Sequence, residues 1–433
     1  MIAKLTQQIR ASAFLRHNFI FLVGSVAVGV LNYAYYPILS RLLDIEAYGE
    51  VQAIVSLFLQ LNIFLAVLGQ VTVNVVANYK NDTDRERVIY ELEKLGLYIS
   101  IAGMVVVALF GWKLKTFFNF TSVWPFIVVM LAVVASVPLA FRSAFLRGHK
   151  KFGAVSLANV YGAVFKIILS AGLVWIGWST VGAIFGLVIA QLIAFGYAAA
   201  VARKIGFTHP DGVSFRSLPN WKVLAPEVRY GLLVLCGSLT VTILSSVDIF
   251  VVKHFFDAAT AGRYAGVSTV ARMIFFLTAS VAQVLLPSVK MHAPAQQNRN
   301  LLIKSLAMVI VLGGATWLLF VLFANKIIAV LMGHAFTTYA HLLGKLSLAM
   351  LVISVLNLAV SYFVALRRYG VAIVVIVGAG ITAALLALYH QTLDDIVSSL
   401  LYGSTSMLAL LALWNVITNT TNRMREGDGI PNN

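Results

Sequence analysis

Twelve stretches of this chain each hold about twenty predominantly apolar residues, and that pattern decides most of what it can fold into. They lie at 19–39, 51–78, 95–112, 123–141, 153–176, 178–201, 227–250, 265–289, 301–323, 341–365, 369–389 and 396–418. A run of that length crosses roughly 30 Å of hydrocarbon only as a helix, because every backbone N–H and C=O must be satisfied without water. A membrane β-barrel would instead show alternating stretches of about ten residues. Of 433 residues, 60% are hydrophobic and 11% charged, with mean hydropathy +0.91. A soluble domain carries about 25% charged residues. The expected class is therefore an all-α polytopic membrane protein of twelve transmembrane helices. One cysteine, Cys236, excludes a disulfide framework and a cysteine-based metal site. The N-terminus is basic, then apolar, and leads into more membrane, so it reads as an uncleaved first span.

A net charge of +16 could suggest nucleic acid, but its distribution points to membrane orientation. Twenty-three of the 32 lysines and arginines fall before span 1, in the connections after spans 2, 4, 6, 8 and 10 or within four residues of them, and in the C-terminal tail. Seven fall on the other side: Arg41, Lys113, Lys115, Lys253, Arg263, Lys326 and Lys345. The positive-inside rule then makes both termini cytoplasmic. Lys166 and Arg272 lie deeper inside spans, beyond the first turn from either end. The connection 202–226 is the longest, at about 25 residues, and leaves no room for a folded catalytic domain in any loop. The charged segments 80–94 and 142–151 read as solvated cytoplasmic loops. "SRLLDIEAYGE" (40–50) reads as a solvated outer turn in which Asp44, Glu46 and Glu50 face water.

That turn has an echo. Residue n set beside residue n+213 aligns Asp44 with Asp257, Gly49 with Gly262, Ser25 with Ser238 and Gln70 with Gln283. An offset of 217 aligns "KKFG" (150–153) with "RRYG" (367–370). Six spans precede each repeat start, so the halves share one orientation. Parallel repeats imply two six-helix bundles, 1–213 and 214–433, around a central cavity.

Several spans carry polar residues at helical spacing, which places them on one helix face. Span 2 has Gln52, Ser56, Gln60, Gln70 and Asn74; span 1 has Ser25, Asn32 and Tyr36; span 5 has Ser156, Asn159, Lys166 and Ser170. Span 8 carries Thr269, Arg272 and Gln283, and span 7 carries Ser238, Thr242, Ser245 and Asp248. Such rows are either interhelical hydrogen bonds or a cavity lining. A lysine near mid-span costs about 2.5–3.5 kcal/mol on the insertion scale and usually marks a pathway, which favours a cavity position for Lys166. Arg272 lies nearer the outer surface and could snorkel. Asp248 either pairs with Arg272 or binds a coupling cation. Two bases against one acid suit an anion better than an organic cation. The candidate cavity residues are Lys166, Arg272, Gln60, Gln70, Gln283, Asn32 and Asn159, with Asp248 the candidate for ion coupling.

A GxxxxGK[ST] phosphate loop is missing, as are HExxH, GxSxG and any zinc-spaced Cys/His cluster. No cofactor and no enzymatic activity are expected. Gly182 and Gly186 form a small-xxx-small pair for helix packing.

"PILSRLLDIEAYGEVQAI" and "SSVDIFVVKHFFDAATAGRYAGVSTVARM" resemble bacterial lipid-linked oligosaccharide flippases. These are the Wzx-like O-antigen and polysaccharide transporters of the multidrug/oligosaccharidyl-lipid/polysaccharide exporter superfamily. The family pattern falls on Ser40 to Leu43, Tyr48-Gly49, Asp248 and Gly262-Arg263-Tyr264. The resemblance implies flipping of an undecaprenyl-pyrophosphate-linked oligosaccharide to the outer leaflet, by alternating access, for O-antigen, lipopolysaccharide or related polysaccharide synthesis. It also implies a place in the bacterial inner (cytoplasmic) membrane, among lipids and beside glycan polymerase and assembly proteins. The alternative from the same superfamily is an ion-coupled multidrug or small-molecule exporter. Lipid II flippases look like fourteen-span proteins, which sets the polysaccharide branch ahead of them.

Overall fold

A computed structural model describes residues 27–79, 81–207, 219–220, 224, 235, 239–289, 295–366, 368 and 370–427. Every regular element among these residues is helical. Among the described residues nine stretches are long and apolar enough to cross a membrane. One of them, Phe152–Lys204, is 53 residues long and is folded back on itself. Much of the first half of the expected seventh span and the start of the first lie outside the described residues, as do Ser25, Ser238, Cys236 and the side chain of Gln283.

The chain divides into two compact units, Met1–Leu232 and Leu233–Asn433. The first contains α1 (27–42), α2 (Ile45–Asn78), α3 (Asp82–Phe117), α4 (Trp124–Gly148), α5 (Phe152–Leu173) and α6 (Ser179–Lys204). In it α4 packs on α2, α3 and α6, and α6 on α5. The second contains a helical stretch 239–244, then α7 (Val247–Phe255), α8 (Ala258–Ala271), α9 (Met273–Ser288) and α10 (Ala295–Leu331). A 3₁₀ turn, His334–Leu342, leads into α11 (Leu343–Ala365), α12 (Gly370–Leu388) and α13 (Leu393–Gly427). Here α11 packs on α9, α10 and α13, and α12 on α13.

Local chemistry starts these helices. Asp44 caps α2, its Oδ1 accepting from Ala47 N–H at 2.7 Å. Asp257, 213 residues later, caps α8 by accepting from Thr260 N–H at 2.9 Å. Ala47 and Thr260 are themselves 213 apart, so the repeat read from sequence returns as the same cap on the same backbone donor. An N-cap carboxylate satisfies one of the helix's orphan donors and is worth about 1 kcal/mol. Thr392 and Asp395 bond each other's backbone N–H groups at the start of α13, a reciprocal capping box.

The α5–α6 connection turns at Gly177, whose φ of +102° favours a residue without a side chain. Trp175 stands 82% exposed at this tip, with Trp178, Trp112 and Trp124 also exposed along the same rim. Past the tip the two helices touch closely: Ser170 Oγ donates to the Ala183 carbonyl at 2.7 Å. A Cβ on Gly186 would collide with the Ser170 backbone. The small-residue pair does serve packing.

Two charged regions differ from the expectation of solvated turns and loops. Glu50 is only 2% exposed and lies in the second turn of α2. Its Oε1 accepts from Thr121 N–H (2.7 Å) and Thr121 Oγ1 (3.0 Å), and its Oε2 from Thr180 Oγ1 (3.0 Å). It thus ties the start of α2 to the α3–α4 connection and to the first turn of α6. At the opposite end of the unit, α3 begins at Asp82, well before the expected span, and buries Glu91, Glu93 and Lys94. Glu91 pairs with Lys94 at 2.9 Å, and Glu93 with Arg142 at 2.8 Å. Arg142 lies 4.1 Å over the Phe207 ring, and Asn220 N–H donates to Glu91 at 2.8 Å. Both described ends of the inter-repeat connection are held on the first unit, which extends to Leu232.

Candidate functional site

In the first unit the expected lysine meets two other helix features. Lys166 Nζ on α5 donates to Asn32 Oδ1 on α1 at 2.6 Å and sits 4.5 Å over the Tyr35 ring. No carboxylate pairs with it among the described residues. Its charge is shared with an amide oxygen and an aromatic face, both neutral. Cation–π attraction contributes about 0.5–2 kcal/mol, depending on how dry the site is. Tyr35 is buried and fixes the floor under the ammonium, its hydroxyl 3.5 Å from the Ala183 carbonyl. Tyr36 packs edge-on against it at 5.5 Å.

The amides sort by exposure. Asn32, Asn159 and Gln70 are exposed, as is Asn74; Gln60 and Lys166 are half-buried. Asn159 stands seven residues before Lys166, two turns along one face of α5. Gln52 and Ser56 are buried, so the polar row of α2 passes from packing at its start to open surface beyond.

In the second unit the two expected residues form a closed network. Asp248 is fully buried, and Arg272 is 5% exposed. Arg272 Nη2 lies 2.9 Å from Asp248 Oδ1. Asp248 Oδ2 accepts from Tyr264 Oη at 2.9 Å and Ser268 Oγ at 2.6 Å. Of the two readings open for Asp248, pairing with Arg272 is the arrangement seen. Charge-assisted hydrogen bonds of this kind contribute about 1.5–3 kcal/mol each, which offsets part of the desolvation of both ions. Ser268 escaped the sequence reading, and Tyr264 entered it only through the family pattern, not as a partner of Asp248. Their signal was the spacing Tyr264–Ser268–Arg272, one face of a helix at i, i+4, i+8. Lys345 pairs with Asp394 at 2.7 Å on a partly exposed surface.

Among the described residues no group of three or more His, Cys, Asp or Glu side chains could hold a metal ion. The first unit offers a cation with no carboxylate partner among the described residues, on an amide-bearing face; the second offers a buried ion pair.

No match is found among curated proteins. Among solved structures, an inward-facing multidrug resistance MATE family transporter of the MOP superfamily aligns with a TM-score of 0.74 at 15% identity, covering 92% of this chain and 96% of that one. The lipid II flippase MurJ, in an inward closed conformation, aligns at 0.70 and 14% identity, covering 92% and 87%. A MOP superfamily transporter from Pyrococcus furiosus, whose binding pocket is described as of reversed polarity, aligns at 0.60 and 14%, covering 94% and 95%. The chain therefore has the MOP fold, and these neighbours are transporters or a flippase, not enzymes. The family model for polysaccharide biosynthesis proteins matches residues 14–293, nearly two thirds of the sequence. This chain belongs to the polysaccharide biosynthesis protein family and has the MOP fold.

Proposed function

We propose that the chain flips an undecaprenyl-pyrophosphate-linked oligosaccharide from the cytoplasmic to the outer leaflet of a bacterial inner membrane. The translocation proceeds by alternating access, with twelve spans and both termini cytoplasmic. The observation that carries the reading is Lys166: a membrane-embedded ammonium without a carboxylate partner among the described residues, in a chain of the polysaccharide family. An ion left unpaired in a span is costly, and such residues face the bundle interior or a water-filled path. The exposed amides Asn32, Asn159 and Gln70 are equally unsuited to lipid and suited to sugar hydroxyls. In this reading Lys166 attracts the diphosphate or an acidic sugar, the amide rows bind the glycan, and the polyprenyl tail stays in lipid. Asp248 is the candidate for ion coupling, and polysaccharide polymerase and assembly proteins are the candidate partners.

Deletion of the gene followed by lipid extraction tests the proposal. Lipid-linked glycan is expected to accumulate on the cytoplasmic face, and Lys166→Ala is expected to reproduce at least a tenfold loss of flipping at normal membrane abundance. Unchanged surface polysaccharide with new drug sensitivity would refute it in favour of a small-molecule exporter.

A further inference from the structure

The Asp248–Arg272 pair sits where two membrane helices are interrupted. The helical stretch 239–244 stops at a turn, Ser245–Ser246, and resumes as α7 at Val247; Ser246 has φ −146° and ψ 2°. Asp248 is the second residue after that break. The following span is interrupted at Arg272 itself, which ends α8 and precedes α9. The repeat supplies an internal control. The positions 213 residues earlier, 32–33 and 59, lie within the uninterrupted helices 27–42 and Ile45–Asn78. There the counterparts of Asp248 and Arg272 are Tyr35 and Leu59. The half with the two ions has the breaks at this register; the half without them does not.

The network also has a direction. All three donors to Asp248 come from α8 or its last turn: Tyr264, Ser268 and Arg272. One carboxylate on α7 therefore joins the segment after the first break to the segment before the second. Interrupted membrane helices commonly border transport sites, because their free backbone groups must face protein or water. A buried guanidinium cannot give up its anion without a replacement, since breaking such a pair from one side costs about 3–5 kcal/mol. Another anion can replace it, and a phosphate matches the guanidinium's fork better than a single carboxylate oxygen does.

We propose that Asp248 is an internal counter-ion that occupies Arg272 until a phosphate or diphosphate group of the transported molecule displaces it. The breaks at Ser245–Ser246 and Arg272 are the points at which α7 and α8 part when this happens. The displacement step rests on the anionic substrate proposed above; the coupling of the ion pair to the breaks does not. An anion shifts the equilibrium only by binding the parted state more tightly, which a guanidinium released from Asp248 provides.

Two measurements on purified full-length protein in lipid nanodiscs test it, in a chain with Cys236→Ser and Ser246→Cys. The first is the alkylation rate of Ser246→Cys by a water-soluble maleimide. Adding Asp248→Asn, which keeps volume and hydrogen-bonding capacity, is expected to raise that rate at least fivefold; an unchanged rate overturns the coupling of pair to break. The second is affinity for farnesyl diphosphate, a soluble prenyl diphosphate. Asp248→Asn is expected to bind at least tenfold more tightly than the parent, and Arg272→Gln added to it is expected to abolish the gain. Faster alkylation with no gain in affinity overturns the displacement step and locates the failure in the anionic-substrate reading. If Asp248→Asn fails to reach the membrane, Tyr264→Phe carries the same test. It removes one donor from Asp248 and leaves both charges, so both readouts are expected to move the same way by two- to threefold; no movement in either overturns the proposal.

Discussion

Replacing Glu50 tests whether a carboxylate that looks solvated in the sequence is a structural tie. Three donors converge on it within 3.0 Å, and one of them, Thr121 N–H, belongs to the backbone and cannot be turned elsewhere. In Glu50→Ala the two hydroxyls can rotate, but that N–H loses its partner in a site only 2% exposed. Hydrogen bonds to a charged group contribute about 1.5–3 kcal/mol, and an orphaned buried donor costs about 1–3 kcal/mol. The negative charge at the first turn of α6 adds about 0.3–1 kcal/mol through the helix dipole. With relaxation of the hydroxyls and partial water entry, the net loss is about 3–5 kcal/mol. At about 2–4 °C per kcal/mol for a unit of this size, Tm falls by roughly 6–20 °C. Glu50→Gln keeps an oxygen for Thr121 and lets the Thr180 hydroxyl accept, so its loss is about 1 kcal/mol. The assay is thermal unfolding of the detergent-purified protein, followed by the fraction remaining monodisperse after heating. An Ala variant within 2 °C of the parent, or a Gln variant as damaged as Ala, would show that water satisfies the donors and that Glu50 ties nothing.

Gly186→Ala drives a methyl group into the Ser170 backbone, so α5 and α6 must separate. An overpacking loss of about 1–3 kcal/mol is expected in the same unfolding assay, and a neutral result would refute the close contact. Hydrogen bonds from the Thr260 side chain and backbone hold the Asp257 carboxyl below the usual carboxylate range. A depressed folded-state pKa stabilises above the unfolded pKa and loses that contribution as pH falls through the folded one. The parent is therefore expected to outlast Asp257→Ala at pH 7, with the gap closing below about pH 4, the ordinary carboxylate range. A gap independent of pH would refute the ionised cap.

The helices and the two matching caps were legible because both are written in short-range signals. Apolar runs report spans, and Asp44 and Asp257 are cap residues whose donors lie three positions on. The pair Asp248–Arg272 was legible as one of two options, since both ions fall within spans and few partners exist there. What remained hidden depends on which helices become neighbours. Nothing in a periodic pattern brings Asn32 to Lys166 across 134 residues, or Thr121 and Thr180 to Glu50. The acids and bases of 80–94 and 142–151 misled for a related reason. A charge buried by pairing and a charge in water look the same in sequence, and only the packing of α3 on α4 and the return of the chain at Phe207 and Asn220 separates them.

The tryptophan rim of the first unit has a mechanical consequence. Indole rings prefer the boundary between headgroups and hydrocarbon, so Trp112, Trp124, Trp175 and Trp178 together moor one end of this unit at a set depth. From that mooring α2 runs 34 residues, about 51 Å at 1.5 Å per residue, well beyond the roughly 30 Å of hydrocarbon. A thicker or thinner bilayer therefore leaves the moored rim where it is and moves the other water boundary along α2 and α3. That boundary slides toward or away from the buried Glu91–Lys94 and Glu93–Arg142 pairs, and lipid thickness becomes a variable that this end of the molecule can feel.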